Sequence, residues 1–422
     1  MLRVLTLSSL FPDATRPNFG VFVEQQTLGL AAHHDVELRA VAPVGVPPLP
    51  FDRLSRYAPL TRLPTRETWR GIEVDRPRFT TIPATQGRWH AAALVRALVP
   101  LLDALRTDFA FDVIDASFFF PDGVAAVALG RRYGVPVSIK ARGADIHHWG
   151  CAGATRAQVV DAGRAADGLL AVSGAMKADM IALGMPGDRI RVHHTGVDHD
   201  RFHPIDAEDR TREKRELGVR GPLVLSVGAL IPRKGHDVVI EAVARLPGVA
   251  LLIAGEGSDR PRLEAAIARH GVADRVRLLG SVAHADIPRL VATADVMALA
   301  SASEGLANAW VEALACGTPI VITEAGGAGE VVTSREAGRI VPRAAGAFAA
   351  AIADVLADPP AVDATRAVAG RLMAGTVWIN RHGVNESDVP FGGMKESGYG
   401  REHGVIGIRS YQELQVISRP LG

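Results

Sequence analysis

The sequence is poor in cysteine, in aromatic residues and in surplus charge. Among 422 residues only two are cysteines, Cys151 and Cys316. Two thiols so far apart make no disulfide framework, and a reducing compartment fits. Lys and Arg number 47 against 46 Asp and Glu, a formal net charge of +1. Phosphate backbones are bound by clustered cations, so this balance argues against nucleic acid as the main partner. No uninterrupted apolar run reaches the ~20 residues that span a bilayer. The opening residues MLRVLTLSSLF resemble a strand, without the basic start and long apolar stretch of a signal peptide. A cytoplasmic location is expected.

What is present is ordinary globular sequence. Hydrophobic residues make up 48% and charged residues 22%, which excludes a disordered or fibrous chain. The length suggests two or three domains. One stretch, residues 87–107 (GRWHAAALVRALVPLLDALRT), is amphipathic and carries Arg88, Arg96 and Arg106. A helix packed on a sheet is its plainer reading, and peripheral contact with the inner face of a membrane stays open.

Short apolar runs bounded by Gly or Pro alternate with helical patterns, which predicts βαβ units and parallel sheets. In the first half the predicted strands are 3–11, 35–42, 111–117, 136–141, 168–173 and 189–194. Helices are predicted over 21–32, 124–133, 155–166 and 175–183. The charged stretch 203–216 reads as a connection with one exposed helix. Strands are then predicted at 223–230, 250–254, 276–279, 296–300, 319–323 and 339–341. Helices follow at 236–245, 261–270, 285–294, 306–315 and 347–356. The expected fold is α/β, with two doubly wound Rossmann-like domains facing a cleft. They cover residues 1–200 and 201–368, with ligands beyond the carboxyl ends of the strands. From about residue 369 the pattern stops. The tail is rich in Gly and turns, with strand-like pieces at 376–380 and 411–417 and no clear helix.

Several loops carry candidate chemistry. In SASEGLANAWVEALACGTP a strand ends, Glu304 and Gly305 form a loop, and a helix is predicted to begin near Leu306. Free N–H groups at that helix start favour phosphate. Glu304 is placed to bond sugar hydroxyls and Glu312 to reach a ribose; a capping acid and a solvated helical Glu are the alternatives. In VGALIPRKGH, Arg233 and Lys234 precede a helix and suit a diphosphate leaving group without a metal, against an ordinary basic turn. Its glycine spacing is not that of a GxxxxGK[ST] loop, and Gly255-Glu256-Gly257 does not complete GxGxxG. Gly326, Gly327 and Gly329 allow close backbone approach, or mark a plain turn. Gly20 precedes a helix where a phosphate could approach. Arg142, Asp145 and His147 end a strand and are candidates for acceptor binding or proton handling, against surface polar residues. The pairs His147/His148 and His193/His194 are adjacent in sequence, a poor metal-ligand spacing, so no metal is expected.

Residues 1 to about 368 resemble the family 4 glycosyltransferases, retaining enzymes of the GT-B fold. The resemblance rests on the ordered series FPDATRPNFGVFVEQQ, ARGADIH, AVSGAMKADMIALGMPGDRIRVHHTGVDHDRFHP, LSVGALIPRKGHDVVIEAV, IAGEGSDRPRLEAAI and ADVMALASASEGLANAWVEALACGTPIVITEAGGAGEVV. Glu304 and Glu312 match the two glutamates of the family's E-x7-E signature. The resemblance implies a nucleotide-sugar donor on the second domain, near Gly20, Glu256, Gly305, Leu306 and Glu312. Glu304, Arg233, Lys234 and Asp145 would do the chemistry, and Arg142 and His147 would face a glycan or lipid-linked acceptor. No cofactor or metal is implied. Three positions depart from the pattern: Ala229 stands where the family has Arg, Arg142 where it often has His, and Thr195 where it has Asn.

The tail resembles a different family. AGTVWIN, PFGGMKESGYGRE and YQELQVI follow one another as they do at the end of aldehyde dehydrogenases. The segments bearing that family's catalytic Cys and Glu are absent, so dehydrogenase activity is not expected. The chain reads as a chimera joined between about residues 363 and 374, without the closing helix of family 4 enzymes. A chimera that folds but does not turn over is one alternative to a working transferase, and a nucleotide-sugar epimerase on the same fold is another. The oligomeric state is not readable.

Overall fold

A computed structural model describes residues 1–371 apart from Arg56, with Arg371 described in its backbone alone. The strand-like pieces at 376–380 and 411–417 lie outside the described residues. The chain divides into two compact units, Met1–His193 and a second that begins at His194.

The first unit is built on ten strands: β1 (Leu2–Leu7), β2 (Val36–Val41), β3 (Val44–Val46), β4 (Arg66–Trp69), β5 (Ile72–Asp75), β6 (Arg78–Thr80), β7 (Val113–Ala116), β8 (Val137–Ala141), β9 (Gly168–Ala171) and β10 (Ile190–Val192). Eight form one sheet in the order β10-β9-β8-β7-β1-β2-β5-β4, and β3 pairs with β6 in a second, two-stranded sheet. All of these pairings are parallel except β4 with β5. Strands in the middle of a parallel sheet are covered on both faces and therefore apolar along most of their length, which is why β2, β7, β8 and β9 fall within the predicted runs and β1 starts one residue ahead of its own; the edge strand β10 falls within its run too.

Residues 43–86 are different. Four strands lie there that the apolar pattern does not mark, because they are short and charged residues interrupt β4, β5 and β6. Arg76 explains how such a segment still packs. It is 1% exposed, lies over the rings of Phe11 and Trp69, and donates to Glu67 and to the carbonyl of Pro12. A guanidinium with an aromatic on its face and acceptors at its edge is buried without an orphan charge.

The second unit holds β11 (Leu223–Val227), β12 (Ala250–Ala254), β13 (Val276–Gly280), β14 (Val296–Leu299), β15 (Ile320–Ile322) and β16 (Gly338–Ile340). They form one sheet in the order β13-β12-β11-β14-β15-β16, parallel throughout. Counted within the unit this is 3-2-1-4-5-6, the dinucleotide-fold order. Its core joins both sheet and helices, with Phe348, Ile352 and Val355 from the helix Ala345–Ala357 against Val239, Ile240 and Val243 from His236–Ala244. The charged stretch holds the expected helix, Ala207–Glu216, whose Asp206 side chain accepts from the N–H of Asp209 at 2.7 Å.

One helix corrects the sequence reading. Val362–Arg371 is helical, where the pattern was read as running into a tail without one. It packs on the helix Asn308–Ala315, burying Thr365, Val368 and Ala369, and Thr365 Oγ1 donates to the carbonyl of Glu336 at 2.8 Å. Pro359 and Pro360 just ahead of it look like a stop, but proline is equally at home before a helix. Among the described residues no single helix is long and apolar enough to cross a membrane.

Candidate functional site

In the second sheet the strand order reverses between β11 and β14. The loops leaving those two strands therefore part company, and the carboxyl edge between them is where ligands bind in such folds. Arg233 and Lys234 lie in the first loop and Glu304 in the second.

Backbone contacts bring the two loops together. After β11 the chain passes through Gly228 and Leu230, whose N–H donates to the carbonyl of Glu256 at 2.9 Å. A single turn at Pro232–Lys234 follows, then Gly235 at φ 67°. A Cβ at Gly235 would strike the carbonyl of Ala300, so glycine is required both by that approach and by the left-handed backbone. The N–H of Ala302 donates to the carbonyl of Arg233 at 2.7 Å. Arg343 staples the same pair of loops, donating to Ala300 O at 2.8 Å and Pro232 O at 2.7 Å.

The result is a compact ionic group. Lys234 Nζ lies 2.5 Å from Glu304 Oε1, which also accepts from Ser301 Oγ at 2.6 Å. Arg233 Nη1 is 3.5 Å from Glu304 Oε2 and donates to Ser303 O at 2.5 Å. Glu304 is 8% exposed, Lys234 15% and Arg233 37%, so the guanidinium is the outermost charge. Gly326, at φ 53°, packs its backbone on Glu304 and Gly305, and the N–H of Gly327 donates to Gly305 O at 2.8 Å. Three loops separated in sequence thus meet at one strand edge.

The helix after Glu304 runs Asn308–Ala315, starting two residues later than the predicted Leu306; Gly305 and Leu306 stay in the loop. Glu312 is half-buried on its second turn. Desolvation pushes its carboxyl up to about 7, with Arg201 the charge that opposes the shift. Glu256 is exposed and turned to Arg260 at 3.4 Å; its backbone supports the loop after β11, and its side chain makes no contact with the Glu304 group.

The first unit presents a second edge, at the ends of β1, β7 and β8. Gly20 has φ 71°, and a Cβ there would stand 2.5 Å from Leu10 O, so it shapes the β1 loop where the helix Val21–Ala31 begins. Asp145 is fully buried and accepts from the N–H groups of Arg142 (3.0 Å), Gly143 (2.8 Å) and Phe119 (3.2 Å). Burial raises its pKa and those bonds oppose the rise. It fixes the loop that carries Arg142. His147 Nε2 is 2.8 Å from Asp179 Oδ2. Asp122 accepts from the N–H and Oγ of Ser9 at 2.8 and 3.0 Å, and burial pushes its carboxyl up to about 7.

Known proteins match this chain along nearly all of its length. "Glycosyltransferase Family 4" matches residues 20–201 and "Glycosyl transferases group 1" residues 207–370. A glycogen synthase of Mycobacterium tuberculosis is 31% identical over 401 residues, 89% of this chain and 92% of that protein. The chain belongs to the family 4 glycosyltransferases. A GDP-mannose-dependent alpha-(1-6)-phosphatidylinositol monomannoside mannosyltransferase of Mycolicibacterium smegmatis is 38% identical over 196 residues, 43% of this chain, and the chain spans only 51% of its length. Among solved structures, sucrose-phosphate synthase from Thermosynechococcus elongatus aligns with a TM-score of 0.74 at 20% identity, covering 89% of this chain and 95% of that one. Anabaena Alr3699/HepE in complex with UDP-glucose aligns at 0.66 and 24%, covering 89% and 96%. The fold is GT-B. "Aldehyde dehydrogenase family" matches residues 360–417, so the two kinds of match overlap at 360–370, within the last described helix.

For this glycosyltransferase several residues of the site carry little sequence signal. Ser301 is one small residue among many, and Arg343 acts on carbonyls alone, 43 and 111 residues away in sequence. His236 follows the Lys234-Gly235 pair, is 1% exposed, and sits with Nδ1 3.0 Å from Ser226 Oγ. Burial pushes its pKa down to about 4, so it remains neutral beside Lys234.

Proposed function

We propose that the chain moves a sugar from a nucleotide-sugar donor to a glycan or lipid-linked acceptor, with retention at the anomeric carbon. The observation that carries this is the Arg233–Lys234–Glu304 group at the reversal point of the second sheet. As the bond from the anomeric carbon to the diphosphate breaks, its electron pair passes to the phosphate oxygen. Lys234 and Arg233 supply the countercharge there, without a metal ion. Glu304 holds the two cations and offers its remaining lone pairs to sugar hydroxyls. Glu312 has a carboxylate without a hydrogen-bond donor from the described residues, which suits the paired hydroxyls of a ribose. The acceptor oxygen bonds to the anomeric carbon on the face the phosphate leaves, and its proton goes to that phosphate. This needs no separate base on the protein, which suits Arg142 at the position where the family often has His.

Relatives support the donor class: HepE was solved with UDP-glucose, and the mannosyltransferase is named for GDP-mannose. Their acceptors are named as a phosphatidylinositol mannoside and, in a relative from Xylanimonas cellulosilytica, D-inositol 3-phosphate. The acceptor is read as binding the first unit, at the inner face of the membrane when it is lipid-linked. Calorimetry with UDP, GDP and ADP tests the donor site. One nucleotide should bind saturably and lose at least tenfold in affinity with Lys234→Ala. A folded chain that binds none of the three overturns the reading. Magnetic resonance of the product's anomeric proton tests retention, and an unchanged rate in excess chelator tests the metal-free step.

The match at 360–417 favours one second reading, a joined chain that binds donor but does not turn over. Replacing the residues after 371 with the end of a family 4 enzyme would then create activity; equal activity before and after removes this reading.

A further inference from the structure

Two cations on the carboxyl edge of the first sheet, the buried Lys140 and the half-buried Arg142, have no carboxylate in contact among the described residues. Lys140 and Arg142 stand two residues apart at the end of β8, so the alternation of a strand turns both side chains to one face. That face meets Phe22 and Gln26, which are one turn apart on the helix Val21–Ala31. Gln26 Oε1 accepts from Arg142 Nη2 at 2.5 Å and from Lys140 Nζ at 3.4 Å. Arg142 Nε donates to Ser117 O at 2.8 Å, and its guanidinium carbon lies 4.9 Å from the centre of the Phe22 ring. Lys140 is 2% exposed, with Nζ 2.8 Å from His193 Nδ1.

Among the described residues, neither cation has a carboxylate oxygen within 4.0 Å. Asp145, whose oxygens bond to backbone N–H groups, and then Asp115 act on Arg142 through space only, and Asp115 alone so acts on Lys140. Taking a cation out of water without a close countercharge is costly, and apolar side chains would fill the same face at no such cost. The strain is visible in both groups. Desolvation drives Lys140 well below its ordinary pKa and Arg142 down to about 10. The missing countercharge has a natural source in the ligand. Arg142 is held on Nε and Nη2, which leaves Nη1 without a partner among the described residues. A phosphate reached by that edge is also within the field of the ammonium beside it.

We propose that Lys140 and Arg142 bind a phosphate group of the acceptor, with Gln26 as the positioning residue that holds both cations on one face. This rests on the reading that the first unit takes the acceptor. Free phosphosugars and lipid-linked sugars share that chemistry.

The test titrates inorganic pyrophosphate into the full chain by calorimetry. Lys234→Ala serves as the background, to remove binding at the donor loops. Binding should persist there and weaken at least tenfold on adding Arg142→Gln or Lys140→Met. Gln26→Glu gives both cations a permanent carboxylate, so it should abolish pyrophosphate binding while raising the melting temperature. Nucleotide binding to the wild-type chain reports separately on the donor reading and on folding. Displacement of pyrophosphate by a hexose 1-phosphate assigns a soluble acceptor, and displacement only by vesicles carrying a polyprenyl diphosphate assigns a lipid-linked one. The proposal fails if the Lys234→Ala chain binds no pyrophosphate, if Arg142→Gln and Gln26→Glu leave binding unchanged, or if neither source displaces it.

Discussion

Replacing Glu312 should make the protein more stable and a weaker binder of its donor. The carboxyl is half-buried on the helix Asn308–Ala315, and desolvation lifts its pKa from 4.5 to about 7. At ~1.4 kcal/mol for each pH unit between those values, the difference is about 3.5 kcal/mol. Between pH 4.5 and 7 the folded chain keeps a proton that the unfolded chain has released. Stability therefore falls as pH rises through that window, and the full penalty stands above it. Water reaches a half-buried side chain and screens part of this, leaving about 1–2 kcal/mol. Glu312→Gln keeps the shape and removes the charge. Urea unfolding of the two proteins should coincide at pH 4.5 and separate by about 1–2 kcal/mol in favour of the variant at pH 8, roughly 2–8 °C in melting temperature. Nucleotide affinity should drop, because the amide accepts through one oxygen where the carboxylate offers two. A variant no more stable than wild type at pH 8, or equally shifted at both pH values, refutes the reasoning.

Gly235→Ala should be among the most damaging small changes. The left-handed backbone costs ~1–2 kcal/mol with a Cβ, and the carbonyl of Ala300 must move as well; nucleotide affinity measured by calorimetry should fall at least tenfold. Lys234→Ala leaves Glu304, 8% exposed, with Ser301 and the more distant Arg233, so the variant should lose stability in urea unfolding as well as nucleotide affinity in calorimetry. A chain cut after Asp358 should unfold the second unit at a clearly lower temperature than one cut after Arg371, because Thr365, Val368 and Ala369 are buried against it.

The inner strands of the second unit, β11, β12, β14 and β15, were legible because they are buried almost throughout, and an uninterrupted apolar run is the direct trace of that burial. The segment 43–86 was not, because β4, β5 and β6 carry Arg66, Glu67, Glu73, Asp75 and Arg78, with Arg76 in the link between β5 and β6, and their packing depends on cation–aromatic stacking and side-chain bonds that no periodicity reports. The site divides in the same way. Glu304 and Lys234 were each visible as a charged residue after a strand. Their 2.5 Å contact depends on β11 and β14 being neighbours, a property of strand order that residues seventy apart cannot display. Lys140 and Arg142 show the converse: the spacing of two places them on one face, but only the tertiary structure reveals that no carboxylate meets them there.

The last described helix lies where the two family matches overlap. Residues 360–370 belong to both matches, and the same stretch closes the second unit by docking on the helix that bears Glu312. Docking asks little of a sequence: a short face of small residues at i, i+3 and i+4, which Thr365, Val368 and Ala369 supply. Such a face is common to the helices of many α/β proteins, so one family's helix can serve another's core without a change in hydrophobic pattern or charge. Catalytic loops have no such latitude, since a Cβ at Gly235 or an apolar residue at Glu304 removes a specific contact. The motifs of the Lys234 and Glu304 loops therefore mark the family, while the helix that closes the same unit is matched by both family models.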